Sequence, residues 1–179
     1  DLLFANEELE ANNGPLADRL RPSHIEDIVG QGHILKKDSH ISTALENGNI
    51  PSLIFWGPPG TGKTTMARIL AKESGMIFES VSAISHATAD LRKIFEKAEH
   101  HLKQGKKTLL LVDEIHRFNR SQQDLFLPYI ENGTIVLIGA TTENPSFELN
   151  SALLSRCKVE VLKSLDKEAL FALIERAEK

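Results

Sequence analysis

The chain has 179 residues, 41% of them hydrophobic and 26% charged, a balance that excludes wholesale disorder and supplies one domain with a core of its own. Its 21 Lys and Arg face 25 Asp and Glu for a formal net charge of −4, so any contact with a polyanion has to come from a local patch. The single cysteine, Cys157, excludes an internal disulfide or a cysteine-rich zinc site and points to a reducing interior compartment, and the longest apolar runs, at 109–112 and 135–140, fall far short of the roughly 20 residues that span a bilayer.

Residues 1–13 lack the basic end and apolar middle of a signal peptide and read as a mobile arm, closed by the turn-forming string Asn13-Gly14-Pro15. From 16 to 50 the sequence reads as mostly helical, punctuated by Arg21-Pro22 and Gly30-Gln31-Gly32. Short apolar runs follow at 53–56, 77–81, 109–112, 135–138 and 159–162, separated by stretches of helical spacing. Runs without polar alternation predict strands buried on both faces, and strands alternating with helices predict a parallel sheet with right-handed crossovers. Helices are expected at 63–74, 88–102, 121–130 and 151–156. A last one, opened by Ser164 and Asp166, runs from 167 to the end without a stop signal, as if the natural protein continued.

The first strand leads directly into Gly57-Pro58-Pro59-Gly60-Thr61-Gly62-Lys63-Thr64, which fits G-x-x-x-x-G-K-[ST] with a strand before it and a helix after it. Glycines let backbone N–H groups and the positive end of the new helix surround phosphates. Lys63 reaches the β and γ phosphates, the Thr64 hydroxyl suits Mg²⁺, and Thr65 borders the same loop. The third strand ends in Asp113-Glu114, two carboxylates at the edge where open α/β sheets bind ligands. Asp113 would complete the Mg²⁺ environment through water, and Glu114 would polarise an attacking water, the mark of a hydrolase rather than a kinase. The cofactors expected are therefore ATP and Mg²⁺.

With Ser155-Arg156-Cys157 added, the chain resembles the AAA+ ATPases of the clamp-loader clade, whose motif of this kind supplies an arginine finger to the neighbouring subunit's ATP. It is more closely similar to the RarA/MgsA family, related to the eukaryotic Werner-helicase-interacting ATPase. That resemblance rests on Pro15-Leu16-Ala17 with Arg21-Pro22, on Asp113-Glu114-Ile115-His116-Arg117-Phe118-Asn119, on Ser121-Gln122-Gln123-Asp124, and on Gly139-Ala140-Thr141-Thr142-Glu143-Asn144-Pro145-Ser146-Phe147. It implies a P-loop AAA+ large domain, α/β with a five-stranded parallel sheet flanked by helices, over residues 15–163, between an arm at 1–14 and the start of a helical lid at 164–179.

The resemblance also implies site residues. Arg156 would be the finger, and Thr142, with Thr141 as the alternate, the sensor that orients the lytic water. Ser82 would restrain the catalytic glutamate. Arg21, Pro22, Val29 and Gly30 would frame the adenine, although a plain packing turn would look the same. Arg92, Lys93, Arg117 and Arg120 would face DNA phosphates or simply be solvated surface charges. His116 reads as a neighbour of the acidic pair, Phe118 as core, and His100-His101, about 100° apart on a helix, as surface.

The function implied is a DNA-dependent ATPase acting at stalled forks and recombination intermediates, on a fork or single-strand/duplex junction, beside single-stranded-DNA-binding protein. The intact protein would be a homo-oligomer, cytoplasmic and nucleoid-associated, or nuclear in a eukaryote. This stretch alone would be a monomer that binds nucleotide weakly and turns it over slowly. The alternatives are a nucleotide-gated recruitment module and a clamp-loader or branch-migration motor subunit.

Overall fold

In the computed structural model, which describes Pro15 and residues 20–178, the five apolar runs become five parallel strands. They are β1 (Leu53–Trp56), β2 (Ile77–Ser82), β3 (Thr108–Asp113), β4 (Ile135–Thr141) and β5 (Lys158–Val161), in the order β2-β3-β4-β1-β5. The arm expected over residues 1–14 and the Leu16-Ala17 pair lie outside the described residues.

Successive side chains of a strand point to opposite faces, and here both faces are covered. Leu53 and Phe55 of β1, Leu109 and Leu111 of β3, and Val136, Ile138 and Ala140 of β4 pack with Met66, Ala67, Leu70 and Ala71. Those four belong to α3 (Lys63–Glu73), which follows the short α1 (Gly32–Leu35) and α2 (His40–Glu46). The intervening residues Ile54, Leu110, Val112, Ile135 and Leu137 pack on the other face with Leu91, Phe95 and Ala98 of α4 (Thr88–Lys103). Each such Leu, Ile or Phe contributes about 1.5–3 kcal/mol on leaving water. Phe118 is core as expected, whereas Phe147 and Phe171 are exposed at 83% and 65%.

Three expectations need correction. Between 20 and 50 the described residues form only α1, α2 and a 3₁₀ turn, Ile25–Asp27, because Gly30, Asp38 and Gly48 adopt positive φ that no right-handed helix continues through. The helix expected at 121–130 is two, α5 (Arg120–Asp124) and α6 (Leu127–Glu131). Asn119 caps α5, its side chain accepting the Gln122 N–H at 2.9 Å, and Pro128 supplies no N–H to carry the helical ladder across the junction. Finally, β4 runs three residues beyond 138. The remaining helices are α7 (Pro145–Glu148), α8 (Ser151–Ser155) and α9 (Lys167–Ala177).

The extension of β4 depends on Gly139. A Cβ there would lie 2.8 Å from Ile54 Cδ1 and 2.9 Å from Ile115 Cδ1, both in the core. Gly139→Val should therefore cost about 1–3 kcal/mol, and the melting midpoint should fall by about 2–4 °C for each. A variant that melts with the parent in a calorimeter would refute this packing.

Candidate nucleotide site

The loop between β1 and α3 is built by glycines serving two different needs. Gly60 and Gly62 sit at φ 76 and 89, left-handed backbone that only glycine adopts freely. Gly57 is needed for clearance: a Cβ would stand 2.6 Å from the Leu162 carbonyl oxygen, a backbone atom that cannot rotate away. Its N–H donates to Thr141 O at 3.1 Å, which ties the loop to the end of β4. Lys63 Nζ donates to Gly57 O at 2.7 Å and Pro58 O at 2.8 Å, and Thr61 Oγ1 donates to Pro58 O at 2.9 Å.

A second support comes from Gln31, which in the sequence looks like no more than loop punctuation. Its fully buried carboxamide donates to Thr61 O (3.2 Å) and Lys163 O (2.8 Å) and accepts the Lys163 N–H (3.1 Å). The only sequence signal was a polar residue between two glycines, and its partner is 132 positions away.

Because β4 lies between β1 and β3, the carboxyl ends of all three strands meet on one side of the sheet. Arg21, Pro59, Gly60, Thr61, Gly62, Lys63, Thr64 and Thr65 there line a cleft of about 310 Å³ together with Asp113, Glu114 and Thr142. Burial lowers the pKa of Lys63, while the nearby carboxylates of Asp113 and Glu114 pull it back up. Glu114 itself adopts φ 53, a left-handed backbone rare for a residue with a side chain, and its N–H donates to Asp113 Oδ1 at 3.1 Å. Asp113 and the Thr64 hydroxyl share the cleft, and the described residues include no cluster of three or more acidic, His or Cys ligands. That donor set fits Mg²⁺, which takes one or two protein oxygens and fills its remaining positions with phosphate and water.

Of the two threonines, Thr142 borders the cleft, whereas Thr141 is buried and turns its hydroxyl to His116 Nδ1 at 2.8 Å. Ser82 pairs in register with Asp113, and its Oγ accepts the Ile84 N–H at 3.3 Å. The side chain touching Glu114 is instead His116, with Nε2 3.2 Å from Oε2.

An apolar recess of about 140 Å³ adjoins the cleft and shares its Gly60-Thr61-Gly62 and Thr65 wall. Pro22 and Val29 line it, joined by Ile28, Leu165 and Leu173. Gly30 does not line it but stands behind Leu165, whose Cδ2 leaves no room for a Cβ. Sequence reasoning missed Leu165 and Leu173, although both are apolar, one just ahead of α9 and one within it.

Arg156 is elsewhere. It caps α8 immediately ahead of β5, at the amino edge of the sheet and away from this cleft, with its Nε donating to Glu131 Oε1 at 2.6 Å and Nη1 to Ala152 O at 2.8 Å. Cys157 beside it is half-buried, and burial pushes its thiol up to about 12 against the pull of Arg156. Arg92, Lys93, Arg117 and Arg120 are all exposed.

A parallel sheet whose first strand feeds a glycine-rich lysine loop, facing an acidic strand end across a cleft, defines a P-loop nucleotide-binding domain. Residues 53–165 match the ATPase family associated with various cellular activities (AAA), and the chain belongs to that family. Its relatives include Replication-associated recombination protein A of Coxiella burnetii, 54% identical over 91% of this chain and 37% of that protein, and of Escherichia coli K12, 50% identical over 91% and 36%. ATPase WRNIP1 of Dictyostelium discoideum is 49% identical over 90% of this chain and 18% of its own length. The chain thus spans well under half of these relatives. Among solved structures, Thermotoga maritima RuvB, titled a Holliday junction branch migration motor, superimposes with a TM-score of 0.69 at 29% identity, over 88% of this chain and 53% of that one.

Proposed function

We propose that this chain is the nucleotide-binding unit of a DNA-dependent ATPase of replication-fork maintenance and recombination. The observation that carries this is the single cleft joining Lys63 and Thr64 of the phosphate loop to Asp113 and Glu114 of β3. The similarity to Replication-associated recombination protein A and WRNIP1 supports the DNA setting.

In this reading the backbone N–H groups of residues 57–65 and the Lys63 ammonium hold the β and γ phosphates of ATP. The hydroxyl of Thr64 and the carboxylate of Asp113 hold Mg²⁺, which when bound neutralises phosphate charge. Glu114 accepts a proton from water as its oxygen attacks the γ phosphorus, yielding ADP and phosphate. Thr142 orients that water. Pro22 and Val29 frame the base in the apolar recess, whose Leu165 and Leu173 suit a flat, weakly polar ring, while Gly30 backs Leu165 and Arg21 borders the phosphate cleft. Arg156 reaches the γ phosphate of a neighbouring copy in a homo-oligomer.

Arg92, Lys93, Arg117 and Arg120 offer a basic surface to DNA phosphates, with single-stranded-DNA-binding protein as a partner in a cytoplasmic, nucleoid-associated setting. Residues 164–179 begin a helical lid. The exposed Leu170, Phe171 and Ile174 of α9 support that division.

The test is ATP hydrolysis by the full-length protein with and without forked DNA. Turnover should require Mg²⁺, stop on chelation, and rise when the DNA is added. Turnover indifferent to DNA would reject the DNA-dependent part, and absence of hydrolysis would reject the ATPase.

A further inference from the structure

Glu114 is held on one side by an unusual connection. The 3₁₀ turn Ile115–Arg117 that follows it swings the His116 ring back over the acidic strand end, with Nε2 3.2 Å from Glu114 Oε2 and Nδ1 2.8 Å from Thr141 Oγ1. The ring is nine-tenths enclosed, its side chain exposed at 11%. Thr141 is in turn fixed: its Oγ1 accepts the Glu143 N–H at 3.0 Å, and its carbonyl accepts the Gly57 N–H at 3.1 Å. Phosphate loop, β4 and Glu114 are therefore linked by consecutive hydrogen bonds through one imidazole.

The chemistry sets the direction of that chain. A carboxylate only accepts, so the proton facing Glu114 must sit on Nε2. In the neutral ring Nδ1 is then an acceptor, and the single Thr141 hydroxyl proton goes to it at 2.8 Å in preference to Glu143 O at 3.3 Å, while Oγ1 still accepts from Glu143 N–H. The chain then runs with Thr141 donating to His116 and His116 to Glu114. With Oε2 held by that bond, Oε1 is the oxygen that would take a proton.

We propose that His116 is a positioning residue for Glu114: it clamps Oε2, keeps Oε1 turned toward the cleft, and ties that orientation to β4 and the phosphate loop. Ser82, at the end of β2, accepts the Ile84 N–H of its own loop. The inference rests on Glu114 being the base, as proposed above.

Three substitutions test it in the full-length protein. His116→Phe keeps a ring and loses both bonds; it should lower kcat by about 10- to 100-fold, the usual scale for losing a group that orients a catalytic one, with KM for ATP unchanged. His116→Gln can donate to Glu114 and accept from Thr141, and should recover most of the loss. Added to Glu114→Gln, His116→Phe should change nothing further, since the two act through one group. In the 179-residue chain, long-range ¹⁵N correlation should show His116 as the Nε2–H tautomer. A His116→Phe kcat within twofold of the parent, a Gln variant no better than Phe, or an Nδ1–H ring would overturn the proposal. Parent-like turnover by Glu114→Gln alone would instead overturn the base assignment, and the clamp with it.

Discussion

Replacing Arg156 by Ala should lower ATP turnover by about 10³- to 10⁵-fold while nucleotide affinity stays close to the parent's. The topology explains why the loss falls on rate. Arg156 stands before the first residue of β5, whereas the phosphate loop leaves the far end of β1, and the two parallel strands are paired from Leu53 with Lys158 to Trp56 with Val161. Four strand residues separate the two edges by about 13 Å. In the proposed reading the guanidinium, held here by Glu131 and the Ala152 carbonyl, would serve a site on another copy. Mixing settles this. Arg156→Ala subunits lack the finger but keep Glu114, and Glu114→Gln subunits have the converse defect. Combined one to one, they should regain roughly a quarter of parental turnover, because a head-to-tail interface pairs each defect with its complement in that share of sites. If the mixture stays as inactive as either variant alone, the arginine does not act across an interface.

Glu114→Gln should reduce turnover by about 10²- to 10⁴-fold and leave ATP binding intact. The amide keeps the shape of the side chain and can still accept from His116 Nε2, so the left-handed backbone at Glu114 and the turn after it persist. What is lost is a proton acceptor facing the cleft. Fluorescent-ATP titration and single-turnover hydrolysis separate the two quantities. A Gln variant that loses affinity in proportion to rate would show that Glu114 holds the nucleotide instead of activating water.

The parts of the site that were readable in the sequence are those built by contiguous residues. The loop 57–64 carries its own instructions, since glycine, lysine and threonine act there through backbone conformation and short reach. Asp113 and Glu114 were readable because a buried strand has to surface at its carboxyl end, and two acids at that point put their charge on the ligand-binding edge of the sheet. Strand order was not readable, and two features depend on it: Thr141 meets His116 only because β4 lies beside β3, and Gln31 meets Lys163 only after the chain has crossed the whole sheet. The segment from 20 to 50 misled for a local reason, its apolar residues serving short packed turns broken by Gly30, Asp38 and Gly48. β5 begins one residue before its expected run, at Lys158, and Leu162 at the end of that run still donates its N–H to Trp56 O at 2.7 Å.

Leu165 and Leu173 form one wall of the apolar recess beside the phosphate loop, and both belong to the terminal segment. If the base sits in that recess as proposed, its occupancy and the docking of the helix that carries Leu173 would be reciprocal quantities. Whatever a purine ring gained by touching that wall it would return, to the same free energy, as resistance to the helix being pulled away, and a force that peeled the helix off would loosen the ring by an equal amount. A load on that helix would then be felt as a change in grip on the base.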